Sequence, residues 1–217
     1  MALQQSVYER FGKRGFDIFG AGVTLIVIAP LMLILALIIR LESSGPIFFR
    51  QERVGYQKRR FAVIKFRTML HRPTNAINQH AEQVTSTGLD PRITKNGRLL
   101  RRLSLDELPQ IFNVLKGEMS LVGPRPILPE QLEAMGIEAD DRFKVRPGIT
   151  GLSQISGRRA LSWPQQLARD VEYARNVSLT IDLMIMFRTI GIVWSGSGLY
   201  GTEEDNWRRY IRRQKDG

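Results

Sequence analysis

The sequence predicts a mostly helical α+β fold, with an N-terminal re-entrant membrane helix followed by a small cytoplasmic domain. Three observations support this prediction. Residues 18–39 form a charge-free apolar stretch, and residues 46–50 and 61–66 form two aromatic and β-branched runs separated by a turn. Most of the remaining patterned segments are typical of helices. We therefore expect a β-hairpin and several helices, some of them at the membrane interface, to make up the domain.

The apolar stretch has about the length that a helix needs to cross a bilayer core, and it is too long for the apolar region of a cleavable signal peptide. Pro30 lacks an N–H and clashes with the preceding turn, so we predict a break or kink there. Such a helix could enter and leave the same leaflet, although an ordinary kinked transmembrane helix is an alternative. Basic residues flank both ends, which favours placing both ends in the cytoplasm. They include Arg10, Lys13 and Arg14 before the stretch, and Arg40, Arg50 and Arg53 after it.

The remainder of the chain is organised by glycines, prolines and polar runs. The last helical segment is apolar on most sides but is interrupted by Asp182 and Arg188, so it is either partly membrane-bound or a core helix. We predict helices over residues 97–103, 106–115, 131–135, 163–176 and 178–194, and a polar loop over residues 72–91. The predicted organisation is a membrane segment at 1–40, a domain at 41–200 and a basic tail at 201–217.

The charge balance indicates a polyanionic partner. Thirty-two Lys and Arg residues against 21 Asp and Glu residues give a formal net charge of +11. Nucleic acid, anionic lipid and a phosphorylated substrate all satisfy this charge. The chain has no cysteine, which excludes disulfides and thiolate metal sites, and only two histidines, so carboxylates are the chemical groups to examine.

Two adjacent carboxylates, Asp106 and Glu107, follow a group of arginines and precede Pro109. Because proline is tolerated in the first turn of a helix, we expect a helix to begin close to Asp106. The positive end of the helix dipole and the arginines would favour an ionised carboxylate, which suits a nucleophile or a magnesium ligand. A capping box formed by Ser104 and Glu107 is a purely structural explanation of the same pattern.

Further basic residues could converge on these carboxylates, since arginine binds phosphate oxygens through two parallel hydrogen bonds. Neighbouring prolines and glycines would hold the backbone in place around several of them. A solvated basic surface is the alternative for each one. The candidates are Lys65, Arg67, Arg125, Arg146 and Arg158.

Five ordered motifs that span nearly the whole chain resemble the signature of the monotopic phosphoglycosyl transferases, a family of bacterial sugar transferases. The length is similar to that of the minimal members of this family. The motifs are KRGFD at 13–17, KFRTM at 65–69, SLDELPQ at 104–110, VGPRP at 122–126 and RPGITG at 146–151.

The resemblance implies a re-entrant helix in one leaflet of the bacterial inner membrane and a catalytic domain on its cytoplasmic face. It also implies a two-step reaction. Asp106 matches the nucleophile that attacks the sugar-linked phosphate of a UDP-sugar and releases UMP, and polyprenol phosphate, such as undecaprenyl phosphate, then accepts the phosphosugar. Glu107 completes an acidic pair, and Mg²⁺ bound by Asp106 and Glu107 would offset the charge of the diphosphate.

Other positions are assigned by the same motifs. Asp170 and Asp182 match supporting positions. Members of the family often have serine before the kinking proline, whereas Ala29 stands there in this sequence, so the partner of the freed backbone at Pro30 stays open. The residues expected to bind substrate phosphates are Lys65, Arg101, Arg125 and Arg158.

The second class of function that the sequence allows is a peripheral membrane protein that binds polyanions and catalyses no reaction. Basic residues here alternate with proline and glycine rather than with aromatic stacking platforms, which argues against nucleic acid. Neither the sugar carried nor the pathway served can be deduced from the motifs, and homo-oligomerisation is possible.

Overall fold

The computed structural model describes residues 7–71, 90–133, 135, 137–157, 160–195 and 207. Within these ranges the fold is mostly helical, as predicted, and contains two small sheets. The helices are α1 (Lys13–Glu42), α2 (Lys95–Arg102), α3 (Gln110–Lys116), α4 (Pro129–Glu133), α5 (Leu152–Ile155), α6 (Trp163–Arg175) and α7 (Leu179–Ser195). The strands are β1 (Phe48–Val54), β2 (Arg60–Phe66), β3 (Ser120–Val122) and β4 (Gly148–Thr150).

The predicted β-hairpin is confirmed. Strands β1 and β2 pair antiparallel, with Phe48 opposite Phe66 and Val54 opposite Arg60. Gln57 and Lys58 adopt positive φ angles of 54° and 58° in the turn between the strands.

The second sheet, in which β3 and β4 run parallel, was not predicted because strands of three residues leave no readable periodicity. Gly123, which follows β3, makes this close approach possible. A Cβ atom on Gly123 would lie 2.3 Å from the carbonyl oxygen of Arg146.

Helix α1 packs one stripe of its surface against the domain along its whole length. Asp17, Ala21, Met32, Leu35 and Ile39 are buried at spacings of three, four or more residues, which places them on one face. The opposite faces are apolar and exposed: Phe19, Ile26, Val27, Leu33, Leu37 and Leu41 each expose more than half of their surface. The helix continues through Pro30, so the predicted break is absent there, and a bend stays a prediction.

Polar contacts tie both ends of α1 to the domain. At its beginning, Asp17 accepts hydrogen bonds from the Ser120 hydroxyl at 2.9 Å and the Leu121 N–H at 3.0 Å. At its end, the buried guanidinium of Arg67 donates to the carbonyl oxygens of Ser43 and Ser44 at 2.7 and 2.8 Å. Arg67 therefore satisfies backbone carbonyls of the segment that directly follows α1.

The main core lies between α1, the hairpin, α3 and α7. Its fully buried members include Val63 of β2, Val114 of α3, Tyr173 of α6 and Ile185 of α7. Apolar burial of this kind is the main driving force for docking these elements. A second cluster, under the last part of α1, contains Leu35, Phe66 and Leu100 and joins α2 to the hairpin.

The predicted helices 163–176 and 178–194 are confirmed as α6 and α7. Helix α6 starts with Gln165 accepting a hydrogen bond from the Ser162 N–H at 3.0 Å. Helix α7 buries Asp182 and Ile185 but exposes Phe187, so it is not enclosed on all sides, and its contact with a membrane stays a prediction. Most of the predicted polar loop and of the basic tail falls outside the described residues.

Asn113 connects α3 to the free edge of β2. Its side-chain oxygen accepts a hydrogen bond from the Ile64 N–H at 3.0 Å, and its amide nitrogen donates to the Ala62 carbonyl at 2.8 Å and to Glu118 at 2.7 Å. The side chain is completely buried. It therefore fixes the position of β2 relative to the helix that follows Asp106 and Glu107.

We expect Asn113→Ala to lower the unfolding temperature of the full chain by roughly 5–10 °C, because it leaves backbone groups of β2 buried without partners. Thermal unfolding in detergent measures this. Asn176→Ala is the matched control, since Asn176 makes an exposed hydrogen bond to the Glu172 carbonyl. An equal effect of both substitutions would contradict the role assigned to Asn113.

Candidate active site

The chain reverses direction between α2 and α3, and the two carboxylates lie in this reversal. Ser104 has a φ of 55°, in the left-handed region that non-glycine residues seldom adopt. A single 3₁₀ turn, Leu105–Glu107, follows, and α3 begins only at Gln110. The expected helix start near Asp106 is therefore wrong by about one turn. Pro109 precedes the first residue of α3 instead of lying inside it.

The capping box is also absent. The side chain of Ser104 makes no capping hydrogen bond, and Glu107 is directed to other partners. One carboxylate oxygen of Glu107, Oε1, accepts from the Lys65 ammonium at 2.8 Å and from the Arg125 guanidinium at 2.9 Å. Burial alone would raise the pKa of Glu107, but Arg125 and Lys65 hold it well below its ordinary value. Glu107 is thus a fixed anion that gathers two cations.

Asp106 has different surroundings, although it is the next residue along the chain. Burial and the neighbouring charge of Glu107 raise its pKa to about 6, against the opposing effect of Lys65, Arg101 and Arg125. The arginines favour the ionised form as expected, but the expected net direction is wrong, because burial and the charge of Glu107 outweigh them. Within the described part of the chain, no hydrogen bond is made to its carboxylate, which is left available to a ligand.

Arg101 lies on the last turn of α2, close enough to Asp106 for its charge to lower the pKa of that carboxyl. Its Nε donates to the Thr68 hydroxyl at 2.8 Å. Helix α2 is seated closely, because a Cβ atom at Gly97 would lie 2.2 Å from the Thr68 carbonyl oxygen. Glu42, at the end of α1, accepts from the Asn96 N–H at 2.9 Å and so caps the start of α2. The position of Arg101 thus depends on α1 as well as on the segment that follows β2.

The structure therefore brings together five of the predicted site residues, Asp106, Glu107, Lys65, Arg101 and Arg125. A shallow recess adjoins them. One of its buried lining residues, Gln110, was not predicted from the sequence. Gln110 belongs to the same motif as the two carboxylates, and its nearness to them along the chain could have indicated it. The recess is lined by Arg53, Val63, Lys65, Gln110, Arg125, Pro126 and Gly148.

Two other basic candidates have structural partners instead. Arg67 is occupied at the end of α1, and Arg146 donates to the Gly117 carbonyl at the end of α3 at 2.9 Å. Arg158 lies outside the described residues, so its predicted contact with phosphate stays a prediction.

The two aspartates predicted to support the site are buried in polar clusters. Asp182 accepts from Tyr8 and Tyr173, both at 2.7 Å, and pairs with Lys13 at 2.8 Å. It thereby connects α7 to the start of α1. Asp170 pairs with Arg142 at 2.6 Å, and burial raises its pKa in spite of that cation. Neither cluster includes Asp106 or Glu107.

The donor set is compatible with Mg²⁺. Magnesium usually keeps several waters and takes one or two carboxylates together with substrate phosphates, rather than a full protein cage. Among the described residues no group of three or more acidic or histidine side chains forms such a cage. No described residue donates a hydrogen bond to the carboxylate of Asp106, whereas Oε1 of Glu107 is already engaged by two cations. Asp106 and the second oxygen of Glu107 are the groups that would hold the ion.

The model of the family described as bacterial sugar transferase matches residues 8–196. The chain belongs to this family. Its membership confirms the family predicted from the motifs and the predicted class of enzyme, a phosphoglycosyl transferase. The match extends over all five residues that the structure brings together.

Similar proteins carry related names. The exopolysaccharide production protein ExoY of Rhizobium meliloti is 39% identical over 87% of this chain and 88% of its own length. The undecaprenyl-phosphate glucose phosphotransferase of Komagataeibacter xylinus is 46% identical over 85% of this chain but only 36% of its own. The UDP-galactose-lipid carrier transferase of Erwinia amylovora is 40% identical over 88% of this chain and 42% of its own length.

We expect Glu107→Gln to lower the pKa of Asp106 below about 6. The substitution removes a negative neighbour that raises this pKa, and it releases Lys65 and Arg125, which lower it. Carbon-13 NMR titration of labelled aspartate carboxyls measures the pKa, with Asp106→Asn identifying the signal. Glu52→Gln is the control, because Glu52 is an exposed partner of Arg60. A pKa that stays unchanged or rises would contradict this account of the pair.

Proposed function

We propose that the protein transfers a phosphosugar from a UDP-sugar to polyprenol phosphate, through a covalent intermediate on Asp106. The observation that carries this proposal is the position of Asp106 beside the two cations that Glu107 holds, with no hydrogen bond to its carboxylate from any residue that the structure describes. Membership in the bacterial sugar transferase family and the lipid-carrier names of the relatives support this choice of donor and acceptor.

In the first step, a carboxylate oxygen of Asp106 attacks the sugar-linked phosphorus of the UDP-sugar. The bond between that phosphorus and the bridging oxygen breaks, and UMP leaves with the electron pair. In the second step, an oxygen of polyprenol phosphate attacks the same phosphorus and displaces Asp106, which gives the polyprenyl diphosphate sugar and restores the carboxylate. A pKa near 6 leaves Asp106 mostly ionised at neutral pH, as a nucleophile requires.

Lys65, Arg125 and Arg101 have the charge that a diphosphate needs at each stage of this reaction. Catalysis of phosphoryl transfer depends mainly on positioning and on stabilising the charge that spreads over the phosphoryl oxygens. Glu107 contributes by holding Lys65 and Arg125 in place before substrate arrives, which lowers the ordering cost of binding. A magnesium ion held by Asp106 and Glu107 would neutralise charge between the anionic nucleophile and the anionic diphosphate.

The packing of α1 supports a re-entrant, single-leaflet attachment with both ends of this helix at the cytoplasmic face. By length and composition, the helical segment Tyr8–Glu42 could cross a membrane. A helix of 30 residues is ~45 Å long, so a spanning orientation would carry its ends to opposite surfaces. Both ends of α1 instead make polar contacts with the same domain, through Asp17 and through Arg67. The exposed apolar faces between them are available to lipid.

Asp106→Asn is expected to lower UMP release by at least about 1000-fold, because the amide cannot replace the nucleophile. The assay measures UMP release across a panel of UDP-sugars with undecaprenyl phosphate and Mg²⁺ in detergent. Peptide mass spectrometry without acceptor should detect the phosphosugar on residue 106.

Asp140→Asn is the control, since Asp140 forms an exposed pair with Lys58. Turnover without any adduct on residue 106 would exclude the covalent route. Binding of generic polyanions without turnover of any UDP-sugar would favour a non-enzymatic membrane protein.

Single cysteines at Val7 and Ser44, in a chain that has none of its own, should react with a membrane-impermeant maleimide from the same side of sealed vesicles. Both positions are exposed and flank the apolar segment. Leu33→Cys is the control, because an exposed position in the middle of that segment should be shielded by lipid. Labelling of the two ends from opposite sides would exclude the re-entrant arrangement.

A further inference from the structure

The backbone around Arg125 has few hydrogen bonds of its own. Arg125 lies between Pro124 and Pro126, and neither proline can donate a backbone hydrogen bond. The nearest backbone anchors are on either side, where the Gly148 N–H donates to the Pro124 carbonyl at 2.9 Å and the Val54 N–H donates to the Ile127 carbonyl at 2.8 Å. At Arg125 itself the carbonyl accepts from a side chain, Nη2 of Arg142, at 2.7 Å.

The guanidinium of Arg142 is itself held by a buried acidic partner. The same Nη2 atom that donates to Arg125 also donates to Oδ2 of Asp170 at 2.6 Å. The second oxygen of Asp170 accepts from the Ser153 hydroxyl at 2.7 Å. Arg142, Asp170 and Ser153 are each at most 5% exposed. They come from the 3₁₀ segment Ile137–Lys144, from α6 and from α5, so three elements meet at the carbonyl of Arg125.

Stability alone gives a weak reason for this buried ion pair. Two charges removed from water lose hydration, and well-packed apolar side chains of similar volume are often as stabilising as a buried pair. The pair does supply a charged donor directed at one backbone carbonyl, which an apolar side chain could not supply. That carbonyl belongs to the residue whose side chain reaches Glu107 at 2.9 Å.

We infer that Arg142 is a positioning residue for Arg125, with Asp170 and Ser153 fixing the orientation of Arg142. This inference rests on the proposed function, in which Arg125 binds substrate phosphate. Arg142 has no place in the five motifs, and its neighbours Asp140, Asp141 and Lys144 give its segment the pattern of an ordinary charged surface. No feature of the sequence therefore distinguishes Arg142 from an ordinary surface arginine.

Hydrogen exchange of the full chain in detergent tests the positioning without any need for turnover. Arg142→Met should speed exchange at least about 10-fold at Ile127, whose N–H donates to the Val54 carbonyl at 3.3 Å, because the segment loses its charged anchor. The amides of α3 should be unaffected. Arg169→Met is the matched control, since Arg169 makes an exposed ion pair with Glu172 on α6 and should change neither region.

Kinetics test whether the positioning serves the reaction. Arg142→Met should lower kcat/KM by roughly 10-fold to 100-fold, and Arg142→Lys should recover part of this loss. In an Arg125→Ala background the same Arg142→Met substitution should change kcat/KM less than about 2-fold, because the residue it positions is already gone. A role in folding alone would give the same loss in both backgrounds.

Each failure has a separate meaning. If Arg142→Met does not fold, Asp170→Asn and Ser153→Ala replace it in both experiments, with a smaller effect expected for Ser153→Ala. Unchanged exchange at Ile127, or an equal kinetic loss in both backgrounds, would overturn the inference while leaving the proposed function intact. Absence of turnover in the unmodified chain would overturn the proposed function, and the exchange result would still decide the positioning.

Discussion

One carboxylate oxygen of Glu107 holds two cations that reach it from separate parts of the fold. Lys65 lies at the end of the hairpin, and Arg125 lies between two prolines in the segment after β3. The side-chain nitrogens of both residues lie within 3 Å of that oxygen. Glu107 and Lys65 are largely removed from solvent, so their attraction is screened less than it would be at the surface. The cluster can form only when hairpin, reversal and proline segment have docked. The active-site geometry is therefore a product of the complete fold.

The pKa values of Asp106 and Glu107 are shifted in opposite directions, although the two residues are adjacent in sequence. Glu107 is paired and stays charged, whereas Asp106 has no ion-pair partner among the described residues, and its pKa is raised by burial and by the charge next to it. Environments that move the pKa values of two similar groups apart allow the groups to have different roles. In the proposed reaction, Glu107 positions the cations and Asp106 reacts. The unusual backbone of Ser104 lets both side chains occupy one turn while they face different neighbours.

The long-range part of this site could not be derived from the residues alone. The apolar stretch, the hairpin and helices α6 and α7 follow from periodicity, and the proximity of Asp106 to Lys65 and Arg125 was expected from motif resemblance. The start of α3 was misplaced because Pro109 was assumed to lie in its first turn. The partners of Arg67, Arg142 and Asn113 were not predictable, since a buried polar residue has the same local pattern as an exposed one until the tertiary contacts are known.

The hydrogen bonds of Asn113 have a consequence for how the hairpin meets other chains. Among the described residues, β1 is the one strand that pairs with β2, so the other edge of β2 would offer unpaired N–H and carbonyl groups to any extended chain nearby. The Asn113 amide imitates a peptide group and occupies both the Ile64 N–H and the Ala62 carbonyl on that edge. A side chain from a helix thus takes the place of a third strand and protects this edge of the hairpin against intermolecular β-pairing.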